Sequence, residues 1–237
     1  MKEEKALEII TKNQKSYNTI ASDFDATRLS YWPEFALLGK YVKEGGRMLD
    51  IGCGNGRLLK YLSYELRITN YEYIGIDQSE ELIKIAREMR NAERGMPSCI
   101  MADFLVADVF NMPFGDSEFD VVAGIAFLHH IPGEESRSKV LREMYRVLRP
   151  GGILFFTNWN LWQWKLIKKY KFRLRDFIYS HNGLDAGDFW IPFQGRPRYY
   201  HHFTKLELIK LCKKAGLKSL DYKKGANNVM ILRKGKI

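Results

Sequence analysis

The stretch LDIGCGNGRLL, Leu49 to Leu59, concentrates residues whose types and order can do chemistry. A short apolar run ends at Asp50, glycines follow at Gly52, Gly54 and Gly56, and a helical pattern begins at once. Gly52 and Gly54 admit positive φ and let backbone approach a ligand closely, while Gly56 permits tight strand–helix packing. Alone, such a loop serves a dinucleotide equally well. Two carboxylates narrow the ligand. Asp50, just before the glycines, suits an ammonium group, and Asp77, ending the run in IGIDQSE, can accept both hydroxyls of a ribose. Asp108, in VADVFNMPF, follows a third apolar run and is placed for an adenine amino group.

A second cluster is RPRYYHHF, Arg196 to Phe203, with two arginines, two tyrosines, two histidines and a phenylalanine. No strand or helix read nearby would need such a cluster. Upstream, Lys165, Lys168, Lys169, Lys171, Arg173 and Arg175 are interleaved with Trp162, Trp164, Tyr170, Phe172, Phe177 and Tyr179. That pattern suits RNA, since cations neutralise phosphates while rings stack on unpaired bases. The same rings would also pack the segment onto its domain, with the lysines as a solvated face. Charge weighs toward the first reading. Residues 1–160 hold 20 Lys+Arg against 23 Asp+Glu, whereas residues 161–237 hold 18 against 5, a net of +13. An excess confined to one region points to a polyanionic partner.

These groups need elements to hold them. Leu7, Ile10, Tyr17 and Ile20 recur at helical spacing in an opening helix to about Ala21. RMLDIG, YEYIGID, CIMADFLVAD, FDVVAGIAFL and GILFFTNW read as strands, separated by helices over GNGRLLKYLSYEL, QSEELIKIAREMRNAER and EESRSKVLREMYRVL. Ser79 is the expected N-cap of the second of these, and Arg149-Pro150-Gly151-Gly152 the stop of the third. Strands alternating with helices mean an α/β fold with a parallel sheet covered on both faces. After Trp159 the rhythm breaks, then resumes in a helix over TKLELIKLCKKAGL and a final hairpin from SLDYKKG and NVMILRK. The expectation is one domain over 1–237, with an N-terminal helical segment 1–45 and an insertion at about 160–203. Cys53, Cys99 and Cys212 form no CxxC pair, which argues against zinc or a disulfide framework. No apolar run is long enough to cross a membrane, and acids interrupt the N-terminus where a signal peptide needs an apolar stretch. A cytoplasmic protein is expected.

In their order, DIGCGNG, GIDQS, ADVFNMPF, FDVVAGIAFLHHI and REMYRVLRPGG resemble the motifs of class I S-adenosylmethionine-dependent methyltransferases. The resemblance implies a Rossmann-like, seven-stranded, mostly parallel sheet ending in an antiparallel hairpin, with the cofactor across the carboxyl ends of the first strands. It implies cofactor contacts from Asp50, Gly52, Gly54, Asn55, Gly56, Asp77, Gln78, Asp108, Val109 and Ile125. Methyl transfer asks the site to desolvate, align and hold a nucleophile. A base is needed only if that nucleophile arrives protonated. Candidate acceptor contacts are His129 and His130, together with Asn158 and Trp159. The alternative is that one ring of the pair packs against the sheet while the other faces the cofactor.

A narrower resemblance runs from about Asn13 to Leu232. NQKSYNTIASDFDATR, CGNGRLL, GIAFLHHI and RYYHHFTKLELIKLCKKAGL are similar to the tRNA methyltransferases that esterify 5-carboxymethyluridine at the wobble position. It implies acceptor-side roles for Arg28, His130, Tyr199, Tyr200 and His201. It also implies tRNA contacts from the basic insertion together with Arg196 and Arg198, and a small zinc-binding activator subunit of the kind eukaryotic members use. An apolar strand CIMADFLVAD at the sheet edge would need such a cover, or the N-terminal helix. A carboxymethyl group has a pKa of roughly 4, so it is already a carboxylate at neutral pH and needs a cation to orient it. Arg28 or Arg198 would supply that clamp. Two rival readings are a small-molecule methyltransferase, acting for example on a quinone, and an RNA-binding protein that keeps the cofactor as a ligand. The insertion is heavier in lysine and lighter in acids than the family pattern, and no added RNA-recognition or oxygenase domain is expected from these residues.

Overall fold

The computed structural model describes residues 1–28, 30–68, 70–92, 101–180 and 182–235, and of residues 219 and 220 the backbone alone. Cys99, with the expected start of the third strand, lies outside the described residues. So does the expected end of the helix over QSEELIKIAREMRNAER.

Two helices open the chain, α1 (Glu3–Ala26) and α2 (Pro33–Gly39), so the first runs past the expected Ala21. Then follow β1 (Arg47–Ile51), α3 (Arg57–Tyr64), β2 (Glu72–Asp77), α4 (Glu80–Ala92), β3 (Met101–Val106) and β4 (Phe119–Gly124). A 3₁₀ turn at Leu128–His130 leads into α5 (Glu134–Val147) and β5 (Leu148–Trp159). The insertion holds α6 (Trp164–Tyr170), β6 (Asp188–Phe193) and β7 (Arg196–His201) before α7 (Lys205–Lys214), β8 (Lys218–Lys223) and β9 (Asn227–Arg233) close the chain. Seven strands form one sheet in the order β3-β2-β1-β4-β5-β9-β8, with β9 antiparallel to β5 and to β8. This is the α/β architecture expected, with β3 on one edge.

Strand alternation divides the core in two. Leu49, Ile51, Val122, Leu154 and Phe156 face α5 and α7, while Met48, Tyr73, Val121, Ala123 and Phe155 face α2, α3 and α4. Capping follows the sequence: Ser79 Oγ accepts from Leu82 N at 3.3 Å, and Thr204 Oγ1 from Glu207 N at 3.2 Å. Two boundaries differ from expectation. The fourth strand stops at Gly124, freeing Ile125 to Phe127 to turn along the sheet end, and Arg149 to Gly152 lie within β5 instead of before it.

The larger correction concerns RPRYYHHF. Arg196–His201 is a strand, paired antiparallel with Asp188–Phe193 in a hairpin separate from the main sheet. Gln194 (φ 47°) and Gly195 (φ 72°) form its two-residue loop, matching the positive φ values of a tight hairpin turn. The pattern was hidden because Arg198, Tyr199, Tyr200 and His201 are all buried, some against the domain and some against α1 and α7. A strand buried on both faces shows no polar–apolar alternation. α1 clamps this strand: Asn13 Oδ1 accepts from Tyr199 N at 2.8 Å, and Ser16 Oγ donates to the Pro197 carbonyl at 2.9 Å. Those polar groups sit where an apolar stripe was expected, and Leu7, assigned to that stripe, is 58% exposed. No helix among the described residues is long and apolar enough to cross a membrane.

Candidate active site

A cleft of about 1290 Å³, its open mouth included, lies at the carboxyl ends of β1, β2 and β4 beneath α1 and the hairpin. Its floor is the glycine loop. Gly52, Gly54 and Gly56 have φ of 68°, 56° and 77°. A Cβ on Gly52 would come within 2.6 Å of the Phe127 ring, and one on Gly56 within 2.7 Å of Met89 and 2.9 Å of Phe104. On Gly54 it would meet nothing nearer than 3.7 Å, so that position borders open space. Gly52 and Gly54 thus border the cleft while Gly56 packs the strand to the helix behind it.

Asp50 is buried at the cleft wall, where its Oδ2 accepts from the Tyr73 phenol at 2.5 Å and its Oδ1 has no partner among the described residues. Burial pushes its carboxyl up to about 7. Asp77 Oδ2 accepts from Gly54 N at 3.0 Å and Oδ1 from Ser79 N at 2.9 Å. A carboxylate has about four lone-pair sites, so each oxygen retains capacity for a ligand hydroxyl. Gln78, Val109 and Ile125 also line the cleft. Asn55 lines it too, with its side-chain amide turned to Asp25 Oδ1 at 2.7 Å. Asp108 does not reach the wall: it is exposed, accepting from Phe110 N at 2.9 Å and from Gln78 Nε2 at 3.3 Å. These groups fit S-adenosylmethionine, whose sulfonium supplies an electrophilic methyl group. The unpartnered Asp50 oxygen suits its ammonium group and the Asp77 carboxylate its ribose.

The opposite wall is aromatic and cationic. Arg198 is 3% exposed, with its guanidinium 5.0 to 5.7 Å from the ring centroids of Tyr17, Phe193 and Tyr200. Arg28 follows the C-terminal end of α1 and lies over Phe24 at 4.5 Å. Among the described residues neither arginine has a carboxylate within ion-pairing distance, and burial together with Arg198 draws the Arg28 guanidinium down from its usual range. Tyr200 stacks on His129 (5.1 Å, 13°) and on Trp159 (5.3 Å, 20°). Burial holds both histidines neutral: His130 is pushed down to about 3, and His129 lies well below its ordinary value. Arg28, His130, Tyr200 and Arg198 therefore share one wall with His129 and Trp159. Asn158 is buried outside it.

Tyr199 and His201 are not on that wall. Successive side chains of a strand point to opposite faces, so where Arg198 and Tyr200 face the cleft, Tyr199 and His201 face away. The Tyr199 phenol donates to Asp188 Oδ1 at 2.5 Å, and His201 bridges Asp188 (2.6 Å) and Glu207 (2.8 Å). Sequence reasoning missed Tyr17, Phe24 and Arg57, which also line the cleft. The available signal was the helical spacing of Asn13, Tyr17 and Phe24, which stacks them on one face of α1 leading to Arg28.

The basic insertion divides as its two readings did. Phe172 and Phe177 pack against Phe189, and Tyr170 joins that cluster. Trp162, Trp164 and Tyr179 remain 46%, 69% and 67% exposed. Lys165, Lys168, Lys169, Lys171, Arg173, Arg175 and Arg196 are all exposed, with Lys168 5.3 Å from the Trp164 ring.

A family profile described as methyltransferase domain matches residues 49–156. A tRNA (carboxymethyluridine(34)-5-O)-methyltransferase of Arabidopsis thaliana is 36% identical over 143 residues, 60% of this chain and 31% of that protein. The chain thus spans about a third of that relative's length. A Schizosaccharomyces pombe protein of the same name is 28% identical over 226 residues, 87% of this chain and 88% of that protein. Among solved structures, a SAM-dependent methyltransferase from Methanosarcina mazei aligns with a TM-score of 0.71 at 28% identity, covering 88% of this chain and 100% of that one. With the glycine loop, the Asp50 and Asp77 carboxylates and the seven-stranded sheet, these likenesses make the chain similar in fold and cofactor site to S-adenosylmethionine-dependent methyltransferases.

Proposed function

We propose that the protein esterifies the carboxymethyl group of a wobble uridine in tRNA, with S-adenosylmethionine as methyl donor. The observation that carries this reading is the pair Arg28 and Arg198. Two guanidiniums line one cleft opposite the cofactor loop without a carboxylate partner among the described residues, and like charges so placed call for an anionic guest. A uridine acetate supplies one, already ionised at neutral pH and hence nucleophilic without a base. The neutral His129 and His130 suit such a reaction. The two arginines favour an anionic acceptor over a neutral quinone, and an RNA-binding protein that merely keeps the cofactor as a ligand has no need of an acceptor wall facing it. The names of the Arabidopsis and fission-yeast relatives support the same substrate.

Exposed cations and rings of the insertion suit the anticodon arm, with Trp162, Trp164 and Tyr179 as stacking platforms. We read residues 1–237 as one methyltransferase domain, in which the N-terminal helices and insertion wall the acceptor side. A zinc-binding activator subunit belongs to the same proposal. β3 is an edge strand with Met101 69% and Val106 46% exposed, a surface that a partner strand would cover.

The test is incubation with labelled cofactor and tRNA lacking the ester, alone and with an activator subunit, followed by nucleoside mass spectrometry. The expected product is the uridine acetate methyl ester. Label on another nucleoside, or none on tRNA, overturns the reading. Arg28→Ala and Arg198→Ala should each damage transfer while tRNA still binds, and full turnover by both variants would remove the clamp.

A further inference from the structure

His130 is the side chain in the cleft that invites the role of general base, and its bonding denies it. Its Nδ1 faces the Tyr199 carbonyl at 2.8 Å. A carbonyl only accepts, so the ring proton sits on Nδ1 and leaves Nε2 as an acceptor. Nε2 faces the Tyr17 hydroxyl at 2.9 Å, so the phenol donates to it. With its proton committed, Tyr17 offers the cleft only lone pairs, and one of them accepts from an Arg198 guanidinium nitrogen at a long 3.4 Å. A chain of fixed direction thus runs from a strand carbonyl through His130 and Tyr17 to Arg198.

We propose that Tyr17 is a positioning residue for methyl transfer: held by His130, its phenol oxygen orients the Arg198 guanidinium toward the acceptor carboxylate. This rests on the carboxylate-acceptor reading above. The choice of a phenol has a physical reason. A carboxylate would hold the guanidinium more firmly but cancel the charge that the acceptor needs, whereas a neutral oxygen steers it and leaves it whole. The surrounding groups follow the same rule, since Tyr17, Phe193 and Tyr200 face Arg198 with neutral rings. Committing the phenol proton to His130 also keeps Tyr17 from donating to the acceptor and quenching it. Neither Tyr17 nor His130 then exchanges a proton during the reaction.

A kinetic double-mutant cycle tests this on the full chain, with labelled cofactor, tRNA lacking the ester, and activator if required. Tyr17→Phe should lower kcat on the order of 10²-fold, the cost of an ångström-scale misplacement, with KM for tRNA and cofactor within about twofold. Arg198→Met should lose at least as much, and the double variant should be no slower than Arg198→Met alone. His130→Asn should lower kcat as Tyr17→Phe does, again without multiplying with it. Should Arg198→Met fail to fold, as judged by thermal melting, Arg198→Lys takes its place in the cycle. Wild-type kcat in Tyr17→Phe, or losses that multiply in the double variant, overturn the proposal while leaving the proposed function standing. Absence of ester with the wild-type protein overturns both.

Discussion

The Tyr73 phenol donates to Asp50 Oδ2 at 2.5 Å, leaving Oδ1 buried beside the cofactor cleft without a partner among the described residues. Burial lifts the Asp50 carboxyl from an ordinary 3.8 to about 7. In the free protein a raised acid favours the protonated folded state, so its stabilising effect is complete below pH 3.8 and is lost as pH rises through about 7. A cationic ligand favours the ionised form. Cofactor affinity should therefore rise between pH 5.5 and 7.5, with proton release on binding in the lower part of that window. Calorimetry in buffers of different ionisation enthalpy measures both. Asp50→Asn should weaken binding and flatten its pH dependence; an unchanged slope in that variant would assign the effect to another group.

Gly52 and Gly54 predict opposite outcomes for the same substitution. Gly54→Ala places a methyl group at an ordinary 3.7 Å contact with Phe24 and at φ 56°, costing about 1 kcal/mol of backbone strain while obstructing the ligand's approach. Gly52→Ala drives the methyl to 2.6 Å from Phe127 and should destabilise the fold further. Melting curves with and without cofactor separate the two. Gly54→Ala should keep most of its apo stability and lose the cofactor-induced shift.

Lys168 and Lys169 are exposed and make no ion pair among the described residues, so changing them leaves the core intact. Lys168→Ala with Lys169→Ala should lower the slope of log tRNA affinity against log salt by about 1.5, as counterion release requires. Lys168→Glu with Lys169→Glu should raise KM for tRNA with cofactor affinity unchanged. Filter binding across a salt series reads the first and steady-state kinetics the second. Loss of cofactor binding would make the segment structural.

Asp188 is wholly buried and accepts from the Tyr199 phenol, His201 Nδ1 and Asp185 N. Asp188→Ala strands those partners and should cost about 3 kcal/mol in denaturant unfolding. Because β7 carries Arg198 and Tyr200 on its other face, activity should fall further than stability accounts for. Asp188→Asn, which retains one acceptor, should be intermediate in both. Equal loss of stability and full retention of activity would show that the hairpin places its arginine without this network.

How far the sequence could be read differs by type of contact. β1, β2, β4 and β5 announce themselves because each is a short apolar run, and an inner strand of such a sheet is buried on both faces, whereas β3 at the edge alternates. The glycine loop is equally legible, since positive φ at Gly52, Gly54 and Gly56 restricts the residue type locally. That Asp108 is exposed and accepts from Gln78 Nε2 is a contact its local position after β3 does not reveal.

RPRYYHHF shows the boundary most clearly. Composition establishes that the cluster is cationic and aromatic, and that it belongs to the basic end of the chain. Its division into two faces follows from strand period and could be drawn only once the pairing of Asp188–Phe193 with Arg196–His201 was known. That pairing sends Arg198 and Tyr200 to the cleft, and Tyr199 and His201 to a structural network. Tyr17 lies more than 180 residues before Arg198, and nothing local to either implies their meeting. The sequence by itself determined the sheet, the cofactor loop and the sign of the charge, because those rest on local conformation and composition. The tertiary structure alone decided which side chains share the acceptor wall, because contacts between α1 and a hairpin distant in the chain are fixed by packing.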